Sequence, residues 1–176
     1  MYKAILVGIL SLLMFSCRNA TNDNHRRPNA GEARKMLQRV NKYLVNEDRD
    51  AILNYIERNK LEGMHESKTG LFYLIYGKAN GPQVKKGYIV EYSFKVSLLD
   101  GTVCYHSTPD SLGTFLVGRG GVESGLEEGI LYMKQGQKAK FIMPPHLAHG
   151  LIGDAKRIPA RSIIVYDLEL FRVIDK

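Results

Sequence analysis

The chain has 176 residues, 44% of them hydrophobic and 24% charged, which leaves room for one ordinary domain with a packed core plus an appendage. Its formal charge of +7 is spread out, with ten basic and seven acidic side chains in residues 18–63 and fourteen and eleven in residues 64–176. Without a dense basic run this is a solvated surface and argues against nucleic-acid binding. Only two cysteines are present, Cys17 and Cys104, so no disulfide framework can be read.

The first element is an apolar run from Ala4 to Phe15, preceded by Lys3 and broken only by Ser11. It has the length of a signal-peptide core and falls well short of the roughly 20 residues that a membrane-spanning helix needs. The run ends at Ser16-Cys17, which resembles a bacterial lipobox, with Met14 and Phe15 making it looser than the usual form. Residues 1–16 are therefore expected to be a lipoprotein signal peptide, and Cys17 to carry the lipid that anchors the mature chain. The alternative is an ordinary signal peptide with an incidental cysteine. Residues 17–31 are mostly polar, and the stretch to Pro28 reads as a tether. The expected location is the bacterial cell envelope, lipid-anchored, facing the periplasm or on the outer membrane.

Residues 32–62 read as helical. Asn29 and Glu32 look like an N-cap pair, and Ala33, Leu37, Val40 and Leu44 recur at helical spacing. A break at Asn46 is expected, followed by a second short helix that starts at Glu47-Asp48 and presents Ile52, Tyr55, Ile56 and Asn59. Two short amphipathic helices cannot bury both stripes alone. Leu37, Val40, Leu44, Ile52 and Ile56 should thus be mostly buried, against each other, the following domain, or a second copy of the chain in a homodimer.

From Leu71 the period changes to two. Leu71 to Tyr76 is β-rich between Gly70 and Gly77, and Val90, Tyr92, Phe94, Val96 and Leu98 alternate with polar residues up to the Asp100-Gly101 turn. Ala139, Phe141 and Met143 alternate with polar or exposed positions, as do Ile164, Tyr166, Leu168 and Leu170. Between them, Ser124-x-x-Glu127 reads as a capping box before Leu126, Ile130 and Met133. The class is α+β: an antiparallel sheet with one short helix across it, preceded by a helical segment.

From about Ser67 to Val173 these residues resemble the FKBP family. The resemblance is carried by Thr69-Gly70-Leu71-x-Tyr73, Lys86-Gly87-x-x-Val90-x-Tyr92, Asp100-Gly101-Thr102, the run from Gly125 to Gly136, Pro145-x-Leu147-Ala148-x-Gly150, Ile158-Pro159 and Tyr166 to Leu170, in family order. It implies a curved FKBP-like sheet in a domain spanning 63–176, peptidyl-prolyl isomerase activity on proline-containing polypeptide clients, and no cofactor. The lipobox, basic tether and helical segment together are similar to gliding-motility-associated isomerase lipoproteins of Bacteroidetes.

The family's site, carried over by position, comprises Tyr92, Phe115, Val122, Ile158 and Tyr166 as walls, Leu126 as floor, and the Glu123 backbone N–H as a donor to a bound carbonyl. Tyr105 stands at the rim. His149 takes the place of a donor tyrosine, and a neutral imidazole still donates one hydrogen bond. Several positions depart from the pattern. Leu126 replaces a tryptophan, Glu123 an isoleucine, and Cys104-Tyr105 an aromatic-aspartate pair, which removes a carboxylate from the rim. These changes imply a weaker pocket. No metal site is expected, because His146 and His149, three apart, fall on a loop. Two readings compete: a prolyl isomerase of reduced activity that assists folding of exported proteins at a membrane, and a non-catalytic FKBP-like chaperone or binding module of an envelope machinery.

Overall fold

The computed structural model describes residues 29–175. The residues expected to form a signal peptide and a tether, as far as Pro28 and with Cys17 included, lie outside the described residues. From Arg39 onward the chain forms one compact unit.

Helix α1 runs from Ala30 to Arg58 without interruption, so one helix stands where two were expected. Its start is the expected reciprocal cap: Glu32 N–H donates to Asn29 Oδ1 at 2.8 Å, and Asn29 N–H donates to Glu32 Oε2 at 3.0 Å. Asn46 does not break the helix, because an asparagine costs no more than ~0.7 kcal/mol against alanine in a helix interior. The acidic pair after it has a different partner from the one expected. Arg161 binds Asp48 at 2.8 Å and Glu47 at 3.7 Å, so these carboxylates form a mid-helix ion pair rather than the start of a second helix. Burial along α1 also differs from expectation. Ile52 is fully buried and Leu44 and Ile56 are half-buried, whereas Leu37 is 64% and Val40 44% exposed within one chain.

The strands are β1 (His65–Glu66), β2 (Phe72–Tyr76), β3 (Ile89–Leu98), β4 (Val103–His106), β5 (Gly113–Leu116), β6 (Lys138–Met143) and β7 (Ile164–Ile174). They form one antiparallel sheet in the order β1-β2-β6-β7-β3-β4, with β5 pairing the first half of β3 and β4 its second half. Register places Phe141 opposite Tyr166 and Tyr166 opposite Val96, so the alternating apolar residues of three strands share one face. Across that inner face lies α2 (Ser124–Ile130), which buries Gly125, Leu126, Gly129 and Ile130. Together they build the main core, with Leu71, Val90, Phe141, Met143 and Leu170 among its members.

The capping box at Ser124 and Glu127 does not form. Glu123 occupies the N-cap and makes no side-chain cap bond. The Glu127 carboxylate instead accepts from the backbone N–H groups of Gly118 at 2.8 Å and Gly120 at 2.9 Å. A turn offering two free donors outcompetes a box that offers one.

The opposite face carries a second, smaller cluster. Phe72, Ile142 and Val165, paired Phe72 to Ile142 and Ile142 to Val165, are covered by Ile52 of α1. Ile142 was expected at an exposed position and is fully buried, because α1 lies over it. Beyond that cover the same face is charged. Lys140 and Lys95 both reach Asp167, and Lys138 binds Glu169 at 3.1 Å.

Candidate functional site

The two longest strands and the segment before α2 bring most of the family-implied residues together. Tyr92 on β3, Phe115 on β5, Leu126 on α2, Ile158 in the loop before β7 and Tyr166 on β7 are all buried in the main core, with Val122 and Tyr105 half-buried against it. Tyr92 meets Phe115 edge-on at 5.8 Å between ring centroids, and Phe94 bridges Tyr92 at 5.8 Å and Tyr166 at 6.0 Å. Such tilted and edge-to-face pairs suit the ring quadrupoles. Phe94 had been placed on the inner face of β3 but given no site role. Gly113 leaves the space that the Tyr92 ring fills, since a Cβ there would lie 2.5 Å from its Cζ.

At the surface of this wall is a depression of about 440 Å³ lined by Gly121, Val122, Glu123, Ala148, His149 and Tyr166. Its charge arrangement was not foreseen. His149 Nε2 lies 3.0 Å from Glu123 Oε1, so the ring nitrogen facing Glu123 is committed to that carboxylate. The Tyr166 hydroxyl makes a looser contact, donating to Glu123 Oε2 at 3.5 Å. Burial, and then the Glu123 carboxylate, hold the hydroxyls of Tyr92 and Tyr166 well above the usual phenol range. Both therefore remain protonated donors at any physiological pH. His146, three residues from His149, points elsewhere, with its Nε2 2.9 Å from the Thr69 carbonyl oxygen.

Tyr105, expected at the rim, meets a carboxylate from another part of the chain. The Tyr105 hydroxyl donates to Asp154. The other Asp154 oxygen accepts from the backbone N–H groups of Lys156 at 2.9 Å, Arg157 at 3.0 Å and Ile158 at 2.8 Å. The Tyr105 hydroxyl, followed by these backbone donors, holds the Asp154 carboxyl well below the usual carboxylate range. Arg157 completes the loop by stacking 5.5 Å over the Tyr105 ring and donating to the Cys104 carbonyl at 2.9 Å. Gly153 permits the turn: its φ is +71°, and a Cβ there would lie 2.2 Å from the Ile158 carbonyl oxygen. The result is a wall loop that presents Ile158 from a fixed frame. The readable signal was Gly153-Asp154, a turn dipeptide whose aspartate bonds the backbone just ahead of it.

A separate cleft of about 220 Å³ lies between α1 and the β1–β2 edge, where Arg49 and Glu66 pair at 2.7 Å. It contains none of the family-implied site residues.

An antiparallel sheet wrapped on one short helix, with a cluster of contacting aromatic rings in the core between them, defines the class. Residues 81–171 match the family model described as FKBP-type peptidyl-prolyl cis-trans isomerase, and the chain belongs to that family. Among individual relatives it is similar to FkpA of Aeromonas hydrophila, 34% identical over 135 residues, covering 72% of this chain and 49% of the relative. FkpA of Escherichia coli is 36% identical over 115 residues, covering 65% of this chain and 42% of the relative. This chain thus spans about half the length of the curated relatives that it matches. Among solved structures, E. coli FkpA aligns at a TM-score of 0.62 and 25% identity over 99% of this chain and 83% of that one. AtFKBP13 aligns at 0.59 and 28% over 62% and 97%.

Proposed function

We propose that the chain is a peptidyl-prolyl cis-trans isomerase acting on X–Pro bonds of exported proteins, and that a lipid on Cys17 holds it at a bacterial envelope membrane facing the periplasm. The observation that carries the reading is that Tyr92, Phe115, Leu126, Ile158 and Tyr166 share one buried core and that Tyr166 also lines a surface depression with Val122 and His149. Rotation about an X–Pro bond faces a barrier of ~20 kcal/mol that arises from amide resonance. An apolar cup that receives the proline ring strips water from the amide, and donors at its edge stabilise the twisted state better than the planar one. The Glu123 backbone N–H, at the N-cap of α2, is the donor that the family pattern implies. No metal or nucleophile is required for this chemistry.

A protease-coupled assay on a Leu-Pro peptide tests this reading, with accelerated isomerisation as the expected result. Binding without acceleration would favour the second reading, a chaperone-like module. That reading draws support from the Glu123–His149 pair standing in the depression and from the aliphatic floor at Leu126. For the anchor, Cys17→Ala should release the protein from membranes or leave an unprocessed precursor. Membrane fractionation at the mature size would rule lipidation out. We further propose a homodimer through α1, supported by the exposure of Met36, Leu37, Val40 and Tyr43 at helical spacing. Sedimentation should give a dimer that Val40→Glu dissociates.

A further inference from the structure

The Glu123 carboxylate is out of place in a cup built for a proline ring. Its side chain is only 14% exposed, yet it lines the depression alongside Val122, Ala148, His149 and Tyr166. Its polar contacts are His149 Nε2 at 3.0 Å and the Tyr166 hydroxyl at 3.5 Å. Its charge also reaches the Tyr92 hydroxyl. None of these neighbours is a permanent cation: two are phenols and one is an imidazole. When a client seats itself and displaces water, a full negative charge is left with incomplete compensation, a state that is costly unless a cation arrives with the client.

Lysine and arginine are suited to supply that cation. Their apolar stems can lie along Val122 and Ala148 while the charged head reaches the carboxylate. An aspartate or glutamate in the same place would meet like charge at short range in a partly dry site. We propose that Glu123 is a specificity-determining residue, which makes the site favour clients with a lysine or arginine adjoining the proline and disfavour those with an acidic residue there. This rests on the reading of the depression as the X–Pro site, and it assigns the Glu123 side chain a role separate from that of its backbone N–H.

The test compares peptides carrying Lys, Leu or Glu next to proline, placed before it in one set and after it in another. The full-length protein is used in neutral detergent, with kcat/KM and binding affinity measured for each peptide. In at least one set the Lys peptide should exceed the Glu peptide by about tenfold, equivalent to ~1.4 kcal/mol. Glu123→Gln, which keeps the shape and the backbone donor, should bring that ratio to within about twofold, and added salt should narrow it in the parent. His149→Gln removes the competing partner and should keep or widen the ratio. A Lys-to-Glu ratio near one in the parent for both sets, or the same ratio in parent and Glu123→Gln, overturns the proposal. The Leu peptide separates the two failures: no turnover of it by the parent sinks the isomerase reading, while the binding ratios still decide the role of Glu123.

Discussion

The two faces of the sheet bury apolar surface by different means. The inner face is covered by α2 and the loops around it, and it holds the large continuous core in which Phe141, Met143 and Leu126 are fully buried. The outer face is covered over Phe72, Ile142 and Val165 by α1 with Leu61, Met64, Leu99 and Ile163 beside it, and next to that cover it carries paired lysines and carboxylates. The inner face must be dense to hold its contacting aromatic rings in one geometry. The outer face needs only enough cover to seat the helix. Precision in this molecule therefore sits on the face that carries the candidate site.

The largest effect expected on that comparison is from Phe141→Ala, which empties the centre of the inner core and should cost about 3–5 kcal/mol in urea unfolding. Ile52→Ala deletes the single fully buried residue of α1, and should cost nearer ~2 kcal/mol, because Tyr55, Ile56 and Leu61 around it are half-exposed and can close in. Equal losses from the two variants would break the contrast between the faces.

Acid should act on the wall loop next. The Asp154 carboxyl titrates below its unfolded value of ~3.9. Its stabilising contribution is therefore complete above that pH and is lost as pH falls towards the folded value. Urea midpoints measured from pH 7 to pH 2 should drop for the parent, and the acid limb should be shallower for Asp154→Asn, which has no carboxyl to protonate. Identical limbs would mean that the loop frame carries no pH-dependent stability.

The smallest effect belongs to Tyr166→Phe. The ring stays in the wall, and the hydroxyl makes only its 3.5 Å contact with Glu123, so stability should change by less than ~1 kcal/mol and turnover by no more than a few-fold. Abolished turnover would give that hydroxyl a direct part in the reaction and would move the active donor from the Glu123 backbone to the β7 wall.

Most of the inner face was legible from alternation alone. Val90, Tyr92 and Val96 on β3, Phe141 on β6 and Tyr166 on β7 were placed on a buried face and lie there. The outer cluster was not legible. Ile142 and Val165 fall on the opposite parity, and nothing in a period of two says whether a helix 90 residues earlier will return to cover them. The break expected at Asn46 is absent for a related reason: Glu47 and Asp48 resemble a helix start in the sequence, whereas their partner is Arg161, far along the chain.

By itself the sequence determined the class of fold, the strands β2, β3, β6 and β7 with their inward residues, the reciprocal cap at Asn29 and Glu32, and the family to which the chain belongs, but not the short strands β1, β4 and β5. The features it did determine follow from local spacing and from residue types whose preferences do not depend on distant neighbours. Tertiary structure alone decided that α1 is continuous, that Glu127 serves the 118–120 turn, that Asp154 is held by Tyr105, and that Glu123 turns its carboxylate towards His149 in the surface depression. Each of these is a choice of polar partner. A charged group accepts any suitable donor that folding brings within about 3 Å, and the chain cannot state that distance before it folds.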